Sequence, residues 1–262
     1  MIFGSGDGGI RYWNFTTNKL IREWREHSAE CYSVDWNQIS KNTVISGSWD
    51  NTIKLWSPNE LNSLHTYREH TKCIYTTIWS PRHSDLFLST SGDGTCKLWD
   101  TNMNKSTCTI NAHTHEVLTA DWNKYNEYIL ATGSVDKTIK QWDIRRIQQP
   151  VTVLEGHQFA VRRLKYSPHH PNILASTSYD MSICIWDVSI EDSLLGRLED
   201  HSEFVLGVDW NNYNDNQLIT CAWDEQVHLY NISPYINKSI LAKRQPQSTL
   251  MKHAAEANGI NT

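Results

Sequence analysis

Ile53 and Leu55 alternate with Thr52 and Lys54 ahead of Trp56. That spacing puts one pair on each side of a pleated strand. Just upstream, residues 43–48 (Thr-Val-Ile-Ser-Gly-Ser) read as a second strand. Trp49, Asp50 and Asn51 between them read as a tight turn, whose backbone geometry Asp and Asn tolerate. Strand, turn and strand recur in this form along the chain. No stretch within residues 1–232 keeps an apolar period of 3.6, so the pattern predicts an all-β chain and argues against a helical fold.

Aligned on tryptophan, the units repeat. Trp13, Trp56, Trp99, Trp142, Trp186 and Tyr230 are separated by 43, 43, 43, 44 and 44 residues. An Asp stands six positions before each, at Asp7, Asp50, Asp93, Asp136, Asp180 and Asp224. A His opens each unit, at His27, His70, His113, His157 and His201. A Ser precedes the Asp by two at Ser5, Ser48, Ser91, Ser134 and Ser178, and Ala222 breaks that series. A period in this range, opened by a pair such as Gly156-His157 and closed by Trp99-Asp100, Trp142-Asp143 or Trp186-Asp187, resembles the WD-repeat family.

The resemblance implies a WD-repeat β-propeller, seven-bladed in the family and about five and a half blades in this chain. On that count about one and a half repeats, roughly 65 residues, are expected ahead of Met1, with a smaller closed ring as the alternative. Residues 1–232 are read as the propeller. Residues 233–262, without Trp and with mostly basic charge, are read as a polar tail, disordered or partly helical.

Composition narrows the chemistry. A net charge of −5 argues against a nucleic-acid binder held by its overall charge. Six Cys without a C-x-x-C pair, and no N-terminal secretory segment, fit a reduced intracellular protein. The apolar runs are strand-length, so no membrane insertion is expected. His113 and His115, or His169 and His170, lack Cys or carboxylate partners at metal-site spacings, so neither metal nor cofactor is expected. Ser-His-Asp triads can be written from the repeated residues, but one set per repeat speaks for architecture, and no enzyme is expected.

In WD-repeat proteins the matching His, Ser, Asp and Trp form a hydrogen-bonded chain within a blade. The resemblance implies four such sets here: His27/Ser48/Asp50/Trp56, His70/Ser91/Asp93/Trp99, His113/Ser134/Asp136/Trp142 and His157/Ser178/Asp180/Trp186. Their chemistry suits burial, since an indole donates, a hydroxyl and a neutral imidazole do both, and a carboxylate accepts. The unit with His201, Ala222, Asp224 and Tyr230 is expected to carry a broken chain and to be the least rigid.

Longer words point further. They include residues 32–36 (Tyr-Ser-Val-Asp-Trp), 74–81 (Ile-Tyr-Thr-Thr-Ile-Trp-Ser-Pro), 121–127 (Asp-Trp-Asn-Lys-Tyr-Asn-Glu), 141–146 (Gln-Trp-Asp-Ile-Arg-Arg), 160–168 (Ala-Val-Arg-Arg-Leu-Lys-Tyr-Ser-Pro) and 174–180 (Leu-Ala-Ser-Thr-Ser-Tyr-Asp). Over about residues 1–232 they resemble the peroxin-7 family, cytosolic receptors for the type-2 peroxisomal targeting signal. That resemblance implies a cytoplasmic receptor cycling to the peroxisome. Its partners would be matrix proteins carrying the signal helix, an import co-receptor that closes over the helix, and peroxisomal docking proteins. The alternative is a general WD-repeat scaffold, such as a ubiquitin-ligase substrate receptor or a chromatin adaptor.

Such a signal helix presents cations and an apolar side. A receiving face needs aromatic and apolar surface with carboxylates among it. In WD-repeat propellers the top face is marked three and five residues after the blade His and one before the blade Asp. Those positions give a signal-binding set of Glu30, Tyr32, Trp49, Tyr75, Glu116, Leu118, Tyr179, Phe204 and Trp223. Val135 and Leu206 can equally be read as lining the central channel. Arg162 is a discordant cation, to be paired with a neighbouring carboxylate or with the co-receptor.

Overall fold

A computed structural model describes residues 1–244 as six antiparallel sheets followed by one helix. The first sheet holds β1 (Ile2–Gly4), β2 (Ile10–Asn14) and β3 (Lys19–Trp24). The second holds β4 (Cys31–Trp36), β5 (Val44–Ser48), β6 (Ile53–Trp56) and β7 (His65–Tyr67). The third holds β8 (Ile74–Trp79), β9 (Leu86–Ser91), β10 (Thr95–Asp100) and β11 (Ser106–Asn111). The fourth holds β12 (Val117–Trp122), β13 (Ile129–Ser134), β14 (Ile139–Asp143) and β15 (Thr152–Leu154). The fifth holds β16 (Val161–Tyr166), β17 (Ile173–Ser178), β18 (Ile183–Asp187) and β19 (Leu194–Leu198). The sixth holds β20 (Val205–Trp210), β21 (Gln217–Ala222) and β22 (Val227–Asn231).

The strands β4, β8, β12, β16 and β20 lie against one another in succession, so they are the inner strands of consecutive blades of a β-propeller. The core lies between blades. Ile45, Ile53 and Leu55 of the second sheet pack with Ile74, Trp79, Phe87 and Trp99 of the third. Leu88 and Leu98 then pack with Trp122, Leu130 and Trp142 of the fourth. Each middle blade is thus covered on both faces, and β5 and β6 are buried along their whole length. Even Lys54 is 6% exposed, and it donates to Glu26 and Thr66 at 3.0 Å each, as a buried ammonium must.

Two local devices recur. The residue after the blade Asp takes left-handed backbone in every unit: Gly8, Asn51, Gly94, Lys137, Met181 and Glu225, with φ from 64° to 83°. This closes the turn between the second and third strands, as in the 3.2 Å bond from the Asn51 N–H to the Ser48 carbonyl. The second device is a register shift near the start of each inner strand, at Tyr32, Tyr75, Leu118, Arg162 and Leu206. A bulge leaves that residue outside the ladder and re-aims its side chain.

Neighbouring inner strands are also stitched. Asp35 accepts the Trp79 N–H at 2.8 Å, and Asp121 accepts the Tyr166 N–H at 2.9 Å. Asn37 donates to the Ser84 carbonyl at 2.7 Å, and Asn123 to the Pro171 carbonyl at 2.8 Å, each in the next blade. In the sixth sheet the same residue types turn home. Asp209 accepts from the adjacent Trp210 N–H, and Asn211 donates to Gln217 of its own blade. Ile219, Val227 and Leu229 are 43–64% exposed there, whereas Ile45, Ile53 and Leu55, at the same register, are buried.

The segment read as a tail opens with α1 (Ser233–Arg244). Asn231 caps it, accepting from the Ser233 N–H and hydroxyl. Ile236 joins the apolar cluster between the fifth and sixth sheets, Lys238 donates to the Leu195 carbonyl at 2.9 Å, and Lys243 pairs with the buried Asp187 at 2.8 Å. The Tyr235 ring lies so close over β19 that it leaves no room for a Cβ at Gly196. The first twelve residues beyond 232 are therefore a docked helix. Residues 245–262 lie outside the described residues.

Candidate functional site

The repeated polar residues form one chain per blade, deep in the sheet. His27 bonds Asp50 through Nδ1 at 2.8 Å and Ser46 through Nε2 at 2.7 Å, and the Trp56 indole N–H donates to the same Ser46 hydroxyl at 2.8 Å. His70, Asp93, Ser89 and Trp99 repeat this, as do His157, Asp180, Ser176 and Trp186. In the fourth sheet Thr132 supplies the hydroxyl between His113 and Trp142, with Asp136 on the far nitrogen.

The hydroxyl is therefore not the serine two before the Asp. Ser48, Ser91, Ser134 and Ser178 stand outside these chains. Residues 46 and 48 point to the same side of β5, but Trp56 pairs with Val44, so only Ser46 lies within reach of the indole. Ser48 belongs to the turn. It donates to the Ala29 carbonyl at 3.2 Å and accepts the Asp50 N–H at 3.1 Å, and Ser91 and Ser178 donate to equivalent carbonyls. All four serines accept the N–H of the blade Asp, Ser134 that of Asp136 at 3.1 Å. Nor does Ala222 break the last unit, where His201 bonds Thr220 and Asp224 at 2.8 Å each and only the indole is missing.

These chains set the charge of their carboxylates. Burial pushes Asp50, Asp93 and Asp180 up, but hydrogen bonds from the blade His and from Thr52, Thr95 or Ser182 outweigh it and hold all three well below the usual carboxylate range. Asp35, the stitch between inner strands, goes the other way: burial raises it to about 6 against the hydrogen bond from the Trp79 N–H. Among the described residues, no group of three or more His, Cys, Asp or Glu is placed to hold a metal ion, and no helix is long and apolar enough to cross a membrane.

The rim is built by the blade register. The N–H of Trp49 bonds the Glu30 carbonyl, Gly92 bonds Cys73, Val135 bonds Glu116, Tyr179 bonds Ala160, and Trp223 bonds Phe204, all at 2.9–3.1 Å. These equivalent bonds put residues three after the His and one before the Asp side by side at one end of the second to sixth blades. The bulge residues come in next to them.

Two aromatic groups result. Tyr32 and Trp49 stack at 5.5 Å, and Tyr75 meets both edge-on at 5.6 and 6.2 Å. The Tyr75 hydroxyl donates to Glu116 at 3.2 Å, and with burial acting first and Glu116 second, its pKa is pushed well above 10. Across the axis, Phe204 lies 4.9 Å from Tyr179 and 5.3 Å from Trp223. Glu30, Tyr32, Trp49 and Trp223 are exposed, and Tyr75, Glu116, Tyr179 and Phe204 are half-buried. Leu118 departs from the set. Although it occupies the bulge position, it is only 6% exposed, and apolar burial takes its side chain off the surface.

Arg162 joins the two groups. Its Nη2 donates to the Tyr32 hydroxyl at 2.5 Å, its guanidinium lies 5.1 Å from the Tyr32 ring centroid, and it interacts with the Tyr179 hydroxyl. The expected neighbouring carboxylate is not its partner. Phe159, 60% exposed with Lys137 at 5.9 Å over its ring, also lies among these loops and was not marked by the register positions, being two after the blade His.

Comparison with known proteins adds two findings. The model of the WD domain, G-beta repeat family matches residues 18–57, 61–100, 104–143, 148–187 and 192–231. A peroxisomal targeting signal 2 receptor from Dictyostelium discoideum is 53% identical over 45 residues, which are 16% of this chain and 14% of that protein.

Proposed function

Since the chain belongs to the WD domain, G-beta repeat family, we propose that its aromatic rim is a protein-binding face, and that it serves a receptor for the helical type-2 peroxisomal targeting signal. The observation that carries this is the convergence of Tyr32, Trp49 and Tyr75 with Glu116, and of Tyr179, Phe204 and Trp223, at one end of the propeller. Aromatic surface in water without a cover marks an interaction site. An amphipathic helix laid across it puts apolar side chains on the rings and cations toward Glu30 and Glu116. The local likeness to a targeting signal 2 receptor supports that choice of ligand. A co-receptor closing over the helix would cover its outward side. The role is binding, with no catalysis.

A fluorescent type-2 signal peptide tests the reading by anisotropy, with and without co-receptor. Glu30→Lys together with Glu116→Lys should weaken binding about ten-fold or more at low salt, and the loss should shrink as salt rises. Unchanged affinity would remove both carboxylates from the site. No binding of the peptide by the parent chain, with co-receptor present, would leave a WD-repeat binding face for a different partner.

A further inference from the structure

The charge of Arg162, among the rim aromatics, contradicts a purely cation-receiving face. No carboxylate of the described residues lies within ion-pair distance of it, although Arg11, Arg25, Arg145 and Arg197 all have such partners. It lies beside another cation, Arg163, whose pKa is lowered first by burial and then by Arg162 itself, against Asp121 and Asp209. A positive guanidinium left among rings and beside a second arginine is an unmet demand for an anion.

The side chain is nevertheless held in place. The bulge at β16 sets its position, the Tyr32 hydroxyl of the second sheet accepts its Nη2–H with the ring centroid 5.1 Å from the guanidinium, and Trp49 backs Tyr32 in turn. A guanidinium carries five N–H donors in a flat fork, and the tyrosines occupy only part of it. The remainder is a preorganised seat for a carboxylate, which accepts in a matching bidentate geometry.

We infer that Arg162 determines specificity by receiving a carboxylate side chain of the bound helix, so that the rim recognises a bipolar ligand. This rests on the proposed peptide-binding role of the rim. The cation seat at Glu116 and the anion seat at Arg162 are linked through the Tyr75 and Tyr32 rings. A helix laid on the rim meets both with side chains of one face, so the preferred helix carries its cation and its acid about one or two turns apart, roughly four or seven residues.

Two fluorescein-labelled 16-residue helical peptides decide the matter against the full chain. Both carry the same arginine and apolar face, and they differ only in Glu or Gln at the positions four and seven residues beyond the arginine. The parent should bind the Glu peptide about ten-fold tighter, the worth of a charge-assisted hydrogen-bonded pair. Arg162→Gln should bind both peptides alike, at the level of the Gln peptide, while Arg162→Lys keeps part of the preference. Arg162→Glu should prefer a third peptide with Lys at those two positions. Equal binding of the first two peptides by the parent would overturn the role of Arg162 and leave the rim as a binding face. Retained preference in Arg162→Gln, with its unfolding transition unchanged, would place the anion seat elsewhere and overturn it as well. Binding of none of the peptides would remove the rim reading and this inference together.

Discussion

A hydroxyl two residues along a strand decides whether a buried polar chain closes. Ser46 serves His27 and Trp56 at once, so Ser46→Ala leaves a buried imidazole nitrogen and a buried indole N–H unpaired. The expected loss is about 1–3 kcal/mol per orphaned group. Ser48→Ala removes turn contacts and should cost about 1 kcal/mol. Urea unfolding of the two variants separates them, and the reverse ranking would contradict the bonding described. The sequence made the wrong serine conspicuous for a simple reason. The turn position is uniform, Ser48, Ser91, Ser134 and Ser178, whereas the chain position mixes Ser46, Ser89 and Ser176 with Thr132 and Thr220. Chemistry needs only a hydroxyl there, and identity of residue type hides that equivalence. Leu118 misled in the opposite sense, because register fixes where a residue stands and not whether its side chain stays in water.

At the scale of an element, the turn after each blade Asp stores strain wherever its left-handed residue is not glycine. Met181 has φ 64°. Met181→Gly should stabilise by about 0.5–1 kcal/mol, the relief of left-handed backbone (~1–2 kcal/mol) less the added freedom of the unfolded chain. At Gly94 (φ 83°) a Cβ would also meet the His113 carbonyl at 2.7 Å, so Gly94→Ala should cost more than Met181→Gly gains. Chemical denaturation of both measures the pair. Strands and turns were legible because a period of two and the repeated Asp set them directly. The helix α1 was not. It buries little beyond Ile236 and Ser239 while Ile240 and Leu241 face outward, so no apolar stripe marks it in the sequence. The inner-strand bulges also leave no mark of residue type, since the extra residue is Tyr at 32 and 75, Leu at 118 and 206 and Arg at 162.

Across the whole molecule, stability depends on how blades join, and those joints respond to acid. Asp35 is raised to about 6, so the folded chain binds its proton more readily than the unfolded one. Stability from this group therefore increases as pH falls from above 6 toward the ordinary carboxylate value near 4, and is withheld above 6. Asp35→Asn keeps an acceptor for the Trp79 N–H without the buried charge. It should raise the melting temperature at pH 7.5 and flatten its pH dependence between 4 and 6. The blade carboxylates Asp50, Asp93 and Asp180, held low, act in the opposite sense: their contribution is complete above pH 4 and drains away only below it. A melting temperature that falls in Asp35→Asn at pH 7.5 would show that the charge itself holds the two blades together.

The sixth sheet, with β22 paired only to β21, gives the ring a beginning for its opening. Among the described residues no strand pairs with the outer side of β22, and deuterium should enter its amides there within the first moments of labelling. The front should then move inward, reaching the largely buried β13 and β14 last of all. Peptide-level mass spectrometry would read the propeller as a clock face, with time running from its uncovered blade toward its middle ones.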